Sequence, residues 1–192
     1  MSLVPVVTAV LSAASPEAAE RVSQVYEQHL EAPPGKVLPL LTPLGERAWA
    51  VGWAPEMRWE PPGGGAGTLF VVRHPGQPAP RTRGTPEERR EGAARPGSDT
   101  VWLQDAWEPA DGHVHYTHVT PGSDVTEIDI RLRPDGKDRT VATVRYTWTA
   151  LGPAGVTLVR SKTAESYERF MRHWELELNH YLTTGQQLRP AH

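Results

Sequence analysis

The sequence predicts an α+β domain in which a curved antiparallel sheet of about six to seven strands is closed by a long C-terminal helix. Three observations carry this. Between residues 100 and 150 apolar and polar residues alternate with period two, interrupted by glycine-containing turns. Between residues 153 and 184 the period lengthens to three or four, as on one face of a helix. The chain has 192 residues, enough for one sizeable hydrophobic core.

The elements follow in order. Residues 4–11 are rich in valine and read as a strand. Ser15 then stands as an N-cap, with Pro16 at the first helical position and Glu17 in the first turn. The predicted helix carries Ala18, Val22, Val25, Tyr26 and Leu30 on one face and stops before Pro33-Pro34-Gly35. A second short helix is predicted over 36–41, followed by a turn at Thr42-Pro43-Leu44-Gly45. Residues 46–56, with Trp49 and Trp53 four apart, read as an ordered turn segment. Short strands over 57–60 and 68–73 flank a proline- and glycine-rich loop.

Residues 74–98 differ from their surroundings. They hold five prolines, four glycines, five arginines and three glutamates, and no aliphatic side chain larger than alanine. Such a segment buries too little to offset its ordering entropy, so it is predicted to be a mobile insertion, either a tolerated surface loop or a lid or partner-binding arm. Strands are then predicted over 100–108, 113–120, 124–133 and 139–150, joined at Asp111-Gly112, Pro121-Gly122 and Asp135-Gly136. In the third of these, Ile128, Ile130 and Leu132 share one face, and in the fourth Val144, Tyr146 and Trp148 do. The last element is one continuous helix over 153–184, with Val156, Val159, Thr163, Tyr167, Phe170, Trp174, Leu178 and Tyr181 as its stripe and Gly185 as its stop. A meander with a long helix laid across it leaves a space between the two.

Composition narrows the function classes. Twenty basic residues against 23 acidic ones give a net charge of −3, which argues against broad binding to nucleic acid or anionic membrane. There is no cysteine, so disulfides, thiolate catalysis and cysteine-ligated metal sites are excluded. No basic, apolar leader and no apolar run long enough to span a membrane is present, and a soluble, cytoplasmic protein is expected. No phosphate loop, dinucleotide fingerprint or nucleophile elbow occurs, and no cofactor is expected. Seven tryptophans against two phenylalanines is the unusual entry, since indole combines a large apolar body with one N–H donor and suits a ligand cavity.

Several segments resemble a known family. They are Ser15-Pro16-Glu17, Gly45-Glu46-Arg47-Ala48-Trp49 running into Gly52-Trp53-Ala54-Pro55-Glu56, and Thr100-Val101-Trp102. To these are added Val119-Thr120-Pro121-Gly122-Ser123, Tyr146-Thr147-Trp148-Thr149-Ala150-Leu151, and Asn179-His180-Tyr181-Leu182 with Thr184-Gly185. With the element order, they resemble the Bet v 1-like or START-like superfamily, also called SRPBCC, and its bacterial polyketide cyclase/dehydrase-like subgroup. The resemblance covers nearly the whole chain except 74–98 and implies one domain over 1–192 with a helix-grip fold. That fold serves lipid transfer, hormone binding, polyketide cyclisation and co-chaperone roles, so it does not select an activity. The aspartate of the subgroup's Gly-Trp-Asp-Pro-Glu pattern is Ala54 here, and no role resting on that carboxylate carries over.

The candidate site residues come from the segment around Glu46 and from the face opposite the helix. Glu46 and Arg47 with Trp49 and Trp53 either line a cavity mouth, with Glu46 as an acid or base, or divide, the two indoles packing under the helix and Glu46–Arg47 forming a solvated pair. Trp102, Tyr116, His118, Ile128, Ile130, Tyr146 and Trp148 fall on one sheet face if the alternation holds throughout. Phe170, Trp174, His180 and Tyr181 would close over them from the helix. Mixed aromatic and hydroxyl walls suit an apolar ligand with a few oxygens, and they suit a packed core equally. His113 and His115 share a face and His173, Glu177 and His180 share another, but each set lacks a ligand from a second element, and no metal site is predicted.

The expected function is binding of a small, largely apolar, lipid-like or polyketide-like ligand between sheet and helix. Two other readings stand beside it. One is a cyclase or dehydratase using Glu46, Tyr116, His118 and Tyr146 to move protons; the other is a co-chaperone or regulatory interaction protein. No nucleic acid and no membrane span are expected as partners, and a homodimer is left open. Of Trp49, Trp53, Trp102, Trp148 and Trp174, at least three are expected to border one cavity.

Overall fold

The computed structural model describes residues 19–73 and 99–188. The predicted strand at 4–11, the cap at Ser15 and the insertion at 74–98 lie outside them. The described chain runs β1 (Arg21–Leu30), α1 (Pro34–Val37), a 3₁₀ turn (Leu38–Leu41), α2 (Pro43–Glu46), β2 (Pro55–Trp59), β3 (Thr68–Val72), β4 (Thr100–Glu108), β5 (His113–Thr120), β6 (Asp124–Pro134), β7 (Thr140–Ala150), α3 (Pro153–Arg160) and α4 (Ala164–Thr184). The seven strands form one antiparallel sheet in the order β1-β7-β6-β5-β4-β3-β2. The two short helices follow the first strand, and the C-terminal helices lie across one face of the sheet.

Where the helix starting at Pro16 is predicted to run, the described residues Arg21–Leu30 are instead the edge strand β1. Its real period is two: Val22, Gln24, Tyr26, Gln28 and Leu30 face inward, whereas Val25, which the helical reading placed in the core, is 52% exposed. The two glutamines conceal the alternation because both spend their amides on backbone carbonyls of the C-terminal segment. Gln24 Nε2 donates to the Lys162 carbonyl at 3.0 Å, and Gln28, fully buried, donates to the Met171 carbonyl at 3.4 Å.

Strands β4 to β7 lie where the alternation places them. Opposed residues in an antiparallel ladder share a face. The pairs Trp102–His118, Tyr116–Ile128, Ile128–Tyr146 and Thr126–Trp148 therefore set one continuous inner surface. The charged residues Glu127, Asp129, Arg131 and Arg145 occupy the other face. Gly112, between β4 and β5, has φ +63° and sits so close to Leu132 that a Cβ would crowd its carbonyl oxygen.

The single helix predicted over 153–184 is broken. Ser161 closes α3, its N–H donating to the Thr157 and Leu158 carbonyls. Thr163, counted in the apolar stripe by spacing alone, is the N-cap of α4 and accepts from the Ser166 N–H at 3.2 Å. Gly185 ends α4 in the left-handed conformation with φ +70°. Tyr167, Met171 and Leu178 bury the inner face of α4 against the sheet. Gly155 in α3 lies directly against the Ser123 carbonyl, leaving no room for a Cβ.

The free edge of β1 is covered by α4. Glu175 accepts from the His29 N–H at 2.8 Å and from the Tyr26 hydroxyl at 3.0 Å. Asn179 accepts from the Glu31 N–H and donates to the His29 carbonyl, both at 2.8 Å. These side chains satisfy backbone groups that an edge strand would otherwise leave to another chain.

Candidate functional site between the sheet and the C-terminal helix

The site is built around α2. Thr42 caps it by accepting from the Gly45 N–H at 3.0 Å, and Gly45 packs against the Pro39 carbonyl where a Cβ would not fit. Both indoles of the following segment lock it in place. Trp49 Nε1 donates to the Leu40 carbonyl and Trp53 Nε1 to the Pro43 carbonyl, each at 2.8 Å. This fixes Glu46, the last residue of α2, with its carboxyl directed to the inner sheet face.

Burial pushes the Glu46 carboxyl well above its ordinary value. Its charge reaches Tyr116 and Tyr146 on the sheet, whose phenols are raised well above theirs, chiefly by burial. Glu46 and Tyr146 are nevertheless half-buried and not sealed. Among the described residues, no side chain hydrogen-bonds the Glu46 carboxyl or the Tyr146 hydroxyl, and neither group is among the fully enclosed unpartnered atoms. Both therefore face space that a water molecule can reach.

The other two residues read as proton handlers are placed differently. The Tyr116 hydroxyl donates to the Leu41 carbonyl at 2.7 Å, which ties β5 to the 3₁₀ turn. His118 faces inward and stacks on Trp102, ring centroids 4.1 Å apart. All four candidates are on or above the inner face, and Glu46 and Tyr146 combine depth with a polar group that no described side chain hydrogen-bonds.

The aromatic residues are not gathered into one group. They fall into three ring clusters. Trp49 packs on Trp174 at 5.2 Å; Trp53 and Trp102 meet edge-on at 5.6 Å, joined by Phe70; Trp148 meets Tyr167 at 5.7 Å and Tyr146 at 5.4 Å. Trp49, Ile128, Ile130 and Trp148 are buried core side chains, because they fill the first layer above the sheet. Trp53, Trp102, Trp174, His180 and Tyr181 keep partial exposure. Phe170 is 50% exposed and meets Tyr146 edge-on at 6.0 Å, since it turns off the α4 face that Tyr167 and Met171 bury.

The histidines are engaged on the outside. His113 lies between Glu108 and Asp129, each at 2.8 Å, and His115 meets Asp105. On α4, His173 approaches Glu177 at 3.5 Å. Among the described residues, no three of His, Asp or Glu converge as metal ligands. The outer sheet face carries a charged concavity of about 370 Å³ lined by Arg21, His115, Glu127, Asp129, Arg131 and Arg145 among others.

Two polar residues of the interior were not singled out from sequence. Lys162, in the break between α3 and α4, places its ammonium 5.5 Å from the centre of the Trp148 ring. Asp124, 3% exposed, stands on the inner face of β6 and acts electrostatically on Lys162. A lysine at a helical wet-flank position gives no signal of this until the helix break is known.

No protein-family model matches the sequence, and none of the curated proteins does. Solved structures do match. Ara h 8.0201 superposes with a TM-score of 0.54 at 16% identity, over 86% of this chain and 99% of its own. Norcoclaurine synthase from Thalictrum flavum, crystallised in complex with dopamine and hydroxybenzaldehyde, gives 0.53 at 12% identity over 88% and 93%. The Mll3558 protein from Rhizobium loti gives 0.53 at 14% identity over 85% and 98%. What these Bet v 1-like structures share with the chain is its fold: a curved seven-stranded antiparallel sheet, short helices after the first strand and a long C-terminal helix. No described helix is long and apolar enough to cross a membrane.

Proposed function

We propose that the protein binds a small, largely apolar molecule between the inner face of the sheet and α4. One observation carries the reading: the Glu46 carboxyl stands deep in an aromatic interior with no hydrogen-bonding side chain among the described residues. A carboxyl held largely out of water with no side-chain partner is a frequent feature of functional sites. The ligand this environment suits has flat apolar surface for Trp53, Trp102 and Tyr146, and a polar group for Glu46. That a structure of the same fold, norcoclaurine synthase, holds the aromatic molecules dopamine and hydroxybenzaldehyde supports the ligand class.

A catalytic reading is favoured by the same pair of groups. Burial keeps Glu46 protonated to higher pH than an ordinary glutamate, so it can deliver a proton as a general acid. Tyr146, with its hydroxyl unoccupied, can orient a ligand oxygen beside it. Such a site would promote cyclisation or dehydration by holding a flexible chain bent in a water-poor space.

Native mass spectrometry of the protein purified from its own host tests the binding reading. A bound species of roughly a few hundred daltons is expected, as for a drug-sized ligand. Absence of any such species, before and after incubation with host extract, would overturn it. For the catalytic reading, E46Q that keeps binding and loses turnover is the supporting outcome.

A further inference from the structure

We propose that Lys162 anchors an anionic oxygen, of the carboxylate or sulfonate type, on the ligand bound beneath α4; this rests on the ligand-binding reading above. The position of Lys162 is imposed from both sides. Its carbonyl accepts from Gln24 Nε2 of β1 at 3.0 Å, so the sheet fixes its backbone. Thr163 and Ser161, its neighbours, cap the two helices and prevent it from continuing either one.

Its side chain is therefore led over the inner face, where the ammonium rests 5.5 Å from the Trp148 ring centre. The acid nearest to it in effect, Asp124, is already occupied. Its two oxygens accept from Ser123 Oγ and Thr126 Oγ1, each at 2.8 Å. Among the described residues no acceptor takes a hydrogen bond from the Lys162 ammonium. A half-buried cation with three unused donors is the arrangement that a ligand oxygen completes. Burial lowers the Lys162 ammonium below its usual value, and Asp124 opposes that shift.

The placement also gives the ligand a direction. Trp148 lies next to Tyr146 at 5.4 Å, and Tyr146 feels the Glu46 carboxyl. Glu46, Tyr146, Trp148 and Lys162 thus run along the β7 side of the interior. A ligand lying on them would meet a hydrogen-bonding acid at one end and a cation at the other.

Two fluorescent probes of similar shape separate this inference from the reading beneath it: neutral phenylnaphthylamine and anionic anilinonaphthalene sulfonate. Wild-type protein is expected to bind both, with the neutral probe displacing the anionic one. K162M is expected to weaken the anionic probe about tenfold, the order of one charge-assisted hydrogen bond, and to leave the neutral probe unchanged. K162R is expected to retain most of the anionic affinity. Neutral-probe binding serves as the folding control for K162M. Equal anionic affinity in wild type and K162M, an equal loss of both probes, or failure of the neutral probe to displace the anionic one would overturn the role of Lys162 alone. Failure of wild-type protein to bind either probe would overturn the binding reading and this inference together.

Discussion

Asn179 on α4 grips the backbone around His29 on the edge strand, donating from Nδ2 to the His29 carbonyl and accepting at Oδ1 from the Glu31 N–H, both at 2.8 Å. The amide thus completes β1 as a neighbouring strand would, and it holds the helix at a fixed height above the sheet. That height decides how much space the interior contains. N179A is expected to lose about 1–2 kcal/mol, the worth of two such bonds, in a urea titration. Amide exchange should accelerate in β1 more than in β6. Unchanged stability with unchanged exchange would show that the grip is incidental.

Gly155 offers a second structural test. A Cβ there would overlap the Ser123 carbonyl oxygen, which belongs to backbone already fixed by the Leu151 N–H at 2.8 Å. G155A is expected to lower stability by more than about 2 kcal/mol despite the higher helix propensity of alanine. A melting temperature equal to or above that of wild type would contradict the packing described for α3.

The two tyrosines near Glu46 should separate on mutation. The Tyr116 hydroxyl is spent on the Leu41 carbonyl, so Y116F should cost about 1 kcal/mol by leaving that acceptor unmatched. Tyr146 has no such partner among the described residues, and Y146F should leave stability within about 0.5 kcal/mol of wild type while weakening ligand binding. The reverse order in a pair of denaturation curves would exchange their roles.

The pH dependence of stability follows from Glu46. Its carboxyl is raised in the folded protein above the ordinary 4.5 of the unfolded chain, so between those two values the folded state holds the extra proton. Stability from this group is full below the ordinary value and declines as pH rises through the raised one. Wild type should therefore lose stability relative to E46Q as pH is raised from about 5 to about 8. A difference between the two that stays constant across that range would place Glu46 in solvent.

The sequence made some elements legible and hid others for identifiable reasons. Strand β6 alternates because one face meets the helix and the other carries Glu127, Asp129 and Arg131 toward water, and its neighbours follow it through their ladders, with a bulge between Gln104 and Ala106 shifting the register in β4. Strand β1 reads as a helix because its inner positions 24 and 28 are glutamines, bonded to the carbonyls of Lys162 and Met171, leaving Val22, Val25, Tyr26 and Leu30 to suggest the wrong period. The break before α4 was hidden because Thr163 keeps the helical spacing while acting as a cap. At the site, Glu46 was readable as an acid set among indoles. The indoles themselves were not, because no spacing distinguishes a sealed Trp49 from a half-buried Trp102. Lys162 depended on the hidden break.

A crystal structure of the protein grown with phenylnaphthylamine tests the central claim most directly. Density for the probe is expected between the sheet and α4, in contact with Tyr146 and within reach of the Glu46 carboxyl. Density confined to the charged concavity on the outer sheet face, with the interior closed around Glu46, would contradict it.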